Sequence, residues 1–352
     1  MEMVKGEFFI NANREGIMKR YRMAGLVFCL CGLIMITPAV AKKKPIKIRF
    51  SHVVADNTPK GWAAKEFARQ VNEELAGQVE VQVFPNAQLY GDNQAIEALS
   101  AGFIEMAAPA TAKYVGSIPQ LQLFDMPFLF PSINATYKVI DGAIGQEISD
   151  LFTKRGLKQL AYWDNGFKHF SSSKCPLLAP ADFKGQKFRI QSSDILEAQM
   201  KQLGATGLKL PFAEVYNALE QGVVDGQENT ASNIYSKKFH EVQKHLTVSN
   251  HGYIGYVVVT TERFWNSLPQ DIQTRLERIM KEVTLAERKM AMEMNMGDLA
   301  RIREYAEKSK RLQIYELEDQ QKAKMKQALE PVHKMMPEVV PVRWVEEIYQ
   351  MK

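Results

Sequence analysis

The stretch PFAEVYNALEQGVVDGQENTASNIY, residues 211–235, decides how the chain is read. It gathers Glu214, Glu220, Asp225, Gln227, Glu228 and Asn229 around Gly222 and Gly226, and so many acids serve either chemistry or architecture. Chemistry would need a nucleophile with a base, two facing carboxylates, or metal ligands at helical or turn spacing. None of these patterns is convincing here. The six histidines, at 52, 169, 240, 245, 251 and 333, form no HExxH pairing, His240 and His245 fall on different sides of a helix, and GxGxxG or GxxxxGK loops are absent. Read as architecture, Tyr216, Leu219 and Val223 form an apolar helical stripe, Gly222 closes the helix, and Asp225-Gly226 turns the chain. Asn229 then stands at the start of the next helix, where a side-chain amide or backbone N–H can face an anion. Glu214 and Glu220 are a solvated face. Binding is the better reading, with no cofactor or metal expected.

Working outward, IKIRF (46–50) and VEVQVF (79–84) alternate apolar and polar residues as strands do. Between them Thr58 caps a helix with Pro59 at its first position, and Ala64, Phe67, Ala68, Val71 and Leu75 recur at helical spacing until Gly77. A strand, helix, strand unit of this kind favours a parallel sheet. The pattern continues with a helix through 93–102, an apolar strand FIEMAAPA (103–110), a helix from Asn134 to Arg155 and a strand from Leu157 to Trp163. A second series has QKFRI (186–190) as strand and DILEAQMKQLG (194–204) as helix. Residues 247–261 favour one long strand passing between domains, and 269–310 one or two long helices whose methionines are packing residues. The expected fold is α/β: a two-lobed clamshell of the periplasmic-binding-protein type with mixed, mostly parallel sheets, crossover hinge strands and a long helix spanning both lobes. One lobe is placed at 45–165 plus 254–293 and the other at 166–253 plus 294–352.

At the N-terminus, Lys19, Arg20 and Arg22 precede an apolar run from Ala24 to Ile36 that ends in Ala39-Val40-Ala41, the form of a secretory signal over residues 1–41. The run is too short for a membrane span, which needs roughly 20 residues, so the mature chain is expected to be exported and not membrane-embedded. Translation from Met18 would give a signal of ordinary length, and bulky Phe28 before Cys29 argues against lipid anchoring. Cys175 is then the lone cysteine in an oxidising compartment, read as a packed thiol. Without the five basic and three acidic residues of the first 41, the balance of 45 to 40 becomes 40 to 37, a net +3 that gives no reason to expect nucleic acid.

PFAEVYNALEQGVVDGQEN, with FKGQKFRIQSS before it and FHEVQKHL after, resembles the solute receptors of tripartite ATP-independent periplasmic (TRAP) transporters. FPNAQLYGD (84–92) and GFKHFSS (166–172) extend the resemblance over essentially the whole mature chain. FSHVV followed by NTPKG, together with YWDNGFKHF, is most similar to the DctP-like branch that takes four-carbon dicarboxylates. The resemblance implies that Arg189, in the strand KFRI, grips a ligand carboxylate, a role that suits the planar guanidinium fork. It implies a second polar contact from Asn229 and an aromatic wall from Phe212. Sialic acid receptors carry arginine where this chain has Lys168, which weakens that ligand. A diacid needs cations at both ends, and Lys168 and Lys60, with His52 near Lys60 in sequence, are the candidates for the end opposite Arg189.

The reading is therefore a periplasmic, monomeric receptor, not an enzyme, that closes on malate, succinate or fumarate and delivers it to TRAP membrane permease subunits. Three alternatives stay open: the same fold binding a monocarboxylate or keto acid, a receptor presenting ligand to a membrane sensor kinase, and a periplasmic enzyme using Glu228 or Asp225 as base.

Overall fold

Residues 44–335 and 339–351 are described by a computed structural model; the predicted signal at 1–41 lies outside them. Strand β1 (Ile46–Ser51) buries Ile48 and Phe50 through the expected alternation. Helix α1 (Pro59–Glu74) starts at Thr58, whose hydroxyl oxygen accepts from the Gly61 N–H at 3.3 Å, and lays Ala64, Phe67 and Val71 into the core. Strand β2 (Val79–Phe84) returns parallel to β1. After α2 (Asp92–Ala101) the run 103–110 forms a strand only at β3 (Met106–Ala107), because Pro109 has no N–H for a ladder and the chain passes into short 3-10 turns. The single helix expected from Asn134 to Arg155 is two, α3 (Ile133–Asp141) and α4 (Ala143–Thr153), separated by Gly142 in an extended conformation.

Strand β4 (Leu157–Phe167) closes this half, and one residue later β5 (His169–Ser172) opens the second. There β6 (Lys187–Ile190), α5 (Asp194–Gln202) and β7 (Thr206–Lys209) form another parallel unit, followed by α6 (Val215–Glu220), β8 (Gly226–Asn229), α7 (Ala231–Ser236) and β9 (His245–Val248). Leu219 is buried, but Val223 lies beyond the end of α6 and is exposed, so the apolar stripe is one residue shorter than its spacing suggests. The long strand expected over 247–261 is divided: β9 and β10 (Tyr253–Thr261) belong to different sheets, and Ser249 to Gly252 carry the chain back across. Helix α8 (Glu262–Ser267) leads into α9 (Gln270–Ser309), a single helix of 40 residues, then β11 (Gln313–Glu316), α10 (Asp319–Lys334) and α11 (Val342–Gln350).

The result is two mixed sheets, ordered β2-β1-β3-β10-β4 and β11-β9-β5-β8-β6-β7. Helix α9 packs through Met280 and Val283 into the core beside the first sheet and through Ile302 into that beside the second. The other α9 methionines do not all pack: Met292 and Met296 are exposed on its solvent side. Cys175 is half-buried, with Gln186 Nε2 3.3 Å from its sulfur. Among the described residues no helix is long and apolar enough to cross a membrane.

Candidate functional site

Parallel strands of both sheets end toward one cavity, the usual place for a ligand in α/β structures. From the first sheet come Val53 and Val54 after β1, Lys113 after β3, and Ile254 and Tyr256 of β10. From the second come Arg189 of β6, Gln191 just beyond it, Phe212, Asn229 at the end of β8, and Asn233 of α7. Two contacts draw the halves together beside the cavity: Lys113 Nζ donates to Ser192 Oγ at 3.2 Å and the Ile195 N–H to Gln122 Oε1 at 3.1 Å.

Arg189 is 2% exposed, and its Nε and Nη2 both donate to the Leu210 carbonyl, at 3.1 and 3.0 Å. That pair of bonds fixes the guanidinium plane, and its remaining N–H groups have no partner among the described residues and can serve a ligand. Burial pushes its pKa down to about 10, so it stays charged at neutral pH. The Phe212 ring stands 5.9 Å from the guanidinium carbon and packs edge-on against Phe239. Asn229 Oδ1 accepts from Thr230 N at 3.2 Å and Asn233 Nδ2 at 2.7 Å, so its NH2 is the group left to donate.

Of the three residues expected at the far end, none lines the cavity. Lys60 is fully buried one layer back: its ammonium donates to the Ala108 carbonyl at 2.7 Å and sits 3.6 Å from the centroid of the Tyr256 ring, which is itself cavity wall. Burial lowers its pKa to about 8. His52 is buried beside Phe50, and burial together with Lys60 lowers its pKa to about 3, so it brings no positive charge. Lys168 is corrected more sharply. Its ammonium pairs with Glu228 at the crossover between β4 and β5, and both are buried. Gln199 Nε2 also donates to Glu228, at 3.0 Å, and His251 Nε2 lies 2.9 Å from it. Burial pushes the Glu228 carboxyl up, but Lys168 and His251 outweigh it and hold the group below the usual carboxylate range. The charge of Lys168 is thus spent inside the protein.

Lys113 is the cation that the sequence reading missed. It follows a two-residue strand on a 3-10 turn, with no periodicity to mark it. Burial lowers its pKa, and among the described residues neither it, Lys60 nor Arg189 has a carboxylate within ion-pair distance. Asp92 lines the same cavity as its one carboxylate. Two positive walls, a third cation behind Tyr256 and one acid leave an excess of positive charge that suits an anion. A wider groove beside Phe128, Lys326 and Tyr349 is open to solvent.

A family model described as bacterial extracellular solute-binding protein, family 7, matches residues 50–338. The C4-dicarboxylate-binding periplasmic protein DctP of Rhodobacter capsulatus is 43% identical over 307 residues, 87% of this chain and 90% of the relative. A TRAP periplasmic solute binding protein from Sulfurospirillum deleyianum, solved with bound succinate, matches with a TM-score of 0.85 and 47% identity, over 88% of this chain and 100% of its own. A counterpart from Pseudomonas aeruginosa with bound L-malate matches with a TM-score of 0.78 and 39% identity, over 83% of this chain and 100% of its own.

Proposed function

Since the chain belongs to family 7 of the bacterial extracellular solute-binding proteins, we propose that it is the periplasmic receptor of a TRAP transporter, binding a four-carbon dicarboxylate and passing it to membrane permease subunits. The observation that carries this reading is the buried Arg189 guanidinium, which faces a cavity with no protein carboxylate in ion-pair contact among the described residues. A buried charge left without a partner is costly, and a ligand carboxylate would satisfy it. Lys113 on the opposite wall takes the second carboxylate, in the place the sequence reading gave to Lys168, and Lys60 adds positive potential from behind Tyr256. Asn229 donates its amide, and Phe212 closes one side. The lobes are residues 45–165 plus 254–293 and 166–253 plus 294–352; they close on the ligand and exclude water, which strengthens each charged contact. The receptor holds its cargo without transforming it. The test is native mass spectrometry of freshly purified protein with thermal-shift titration against succinate, malate, fumarate, lactate, pyruvate and butyrate. A copurifying diacid and larger shifts with the diacids support the reading; shifts largest with lactate or pyruvate move it to a monocarboxylate receptor.

A further inference from the structure

The ladder between β4 and β10 is interrupted beside the crossover. Ile254 pairs with Gly166 and Gly255 with Asp164, so Asn165 is an extra residue bulged out of register. A bulge re-aims a side chain, and this one turns a carboxamide into the interior: Asn165 is fully buried. Its Nδ2 donates to the Tyr256 hydroxyl at 2.8 Å, and its Oδ1 accepts from Ser232 Oγ at 3.0 Å. Tyr256 is cavity wall on the first sheet, while Ser232 lies on α7, three residues after Asn229 in the second half. A third element joins at the same point. Asn295 of α9 donates through Nδ2 to the Asn165 carbonyl at 2.7 Å, and its Oδ1 accepts from the Ser232 N–H at 3.0 Å. Gly166 makes that approach possible: its φ is +108°, and a Cβ there would stand 3.1 Å from Asn295 Nδ2.

We infer that Asn165 is a positioning residue for ligand retention, tying the Tyr256 wall to α7 and α9 so that the closed cavity is held as one piece. The inference rests on the receptor reading above. Every polar atom of its side chain is spent on one half or the other, so it touches no ligand itself; what it changes is the cost of separating the halves around one. Bonds that are complete only in the closed form slow opening and leave the encounter of ligand with the open form unchanged. The signature is therefore kinetic, in release and not in capture.

The test is stopped-flow succinate binding by wild type, Asn165→Ala and Ser232→Ala, with ligand-free melting of each. The expected result is a rise in koff of about tenfold for Asn165→Ala, with kon within about twofold of wild type. Ser232→Ala removes the bond across the halves together with a 3.2 Å contact to the Thr230 hydroxyl within the second half, and should raise koff by at least about threefold with a ligand-free Tm close to wild type. If Asn165→Ala fails to fold, Ser232→Ala alone decides. A folded Asn165→Ala protein with wild-type koff, a Ser232→Ala koff within about twofold of wild type, or equal changes in kon and koff would overturn the relay. If wild type binds none of succinate, malate or fumarate, the receptor reading falls and takes the relay with it; if wild type binds and the variants release normally, only the relay falls.

Discussion

The Lys168 ammonium and the Glu228 carboxylate are paired inside the crossover between the two sheets, one residue along β8 from Asn229. The lysine is therefore structural, although its sequence context resembles a ligand contact. Removing one partner of a buried pair leaves the other uncompensated, at a cost of about 3–5 kcal/mol. Lys168→Met should lower the ligand-free Tm by several degrees and weaken succinate and butyrate by similar factors, and adding Glu228→Gln should recover most of the Tm. Calorimetric melts and titrations check this. A Lys168→Met protein of wild-type stability that loses succinate selectively would return the lysine to the ligand.

Lys113 should behave in the opposite way. Its half-buried ammonium faces the cavity, and among the described residues its one hydrogen-bond partner is the Ser192 hydroxyl. Lys113→Ala should weaken succinate by about tenfold, the cost of a ligand carboxylate losing a charged partner, while butyrate, with one carboxylate on Arg189, changes little. Isothermal titration with both acids measures the difference, and equal losses would place Lys113 outside the site.

Lys60 predicts an alkaline limit. Burial lowers its pKa to about 8, and a dianion in the cavity favours the charged form and raises it again. Binding therefore takes up a proton in this window: affinity is full below about pH 8 and falls as pH rises through it. Lys113, also lowered by burial, contributes in the same sense, and Arg189 keeps its charge through this window. Lys60→Met should weaken succinate at pH 7 and reduce the fall between pH 7.5 and 9.5. An undiminished fall in the variant would assign the titration elsewhere.

Beneath the site Glu287 of α9 and Asp164 of β4 are buried together, the Asp164 N–H donating to Glu287 Oε2 at 3.0 Å and the Tyr137 hydroxyl to Asp164 Oδ2 at 2.7 Å. Burial raises both carboxyls, Asp164 to about 6 and Glu287 well above its ordinary value. Groups with raised folded pKa values contribute stability that is lost as pH climbs from the unfolded range near 4 through the folded values. Glu287→Gln should therefore raise Tm by a few degrees at pH 8 and leave it near wild type at pH 4.5. A Tm lowered at pH 8 would show that the ionised carboxylate is needed.

The parts of this structure that were legible in the sequence are those fixed locally. Thr58 and Pro59 mark the start of α1, the alternation around Ile48 and Val81 marks β1 and β2, and an uninterrupted helical pattern marks α9. Arg189, Asn229 and Phe212 were placed by resemblance, and all three line the cavity. What stayed hidden depends on distant pairing. Nothing near Lys168 shows that Glu228, 60 residues later, takes its charge. Lys113 lies on a turn with no period to read, and the division of 247–261 between sheets depends on partners such as Phe170 and Trp163 far along the chain.

The central claim is that Arg189 holds a ligand carboxylate, and titration of succinate into Arg189→Ala and Arg189→Lys tests it most directly. Losing a buried bidentate partner costs roughly 2–5 kcal/mol, about thirty-fold to several thousand-fold in Kd, so the alanine variant should show no measurable binding. Lysine keeps the charge but not the fork and should still bind at least about tenfold more weakly. Both should retain secondary structure by circular dichroism and lose the ligand-induced rise in Tm. A folded Arg189→Ala protein that binds succinate or malate within about threefold of wild type would contradict the account.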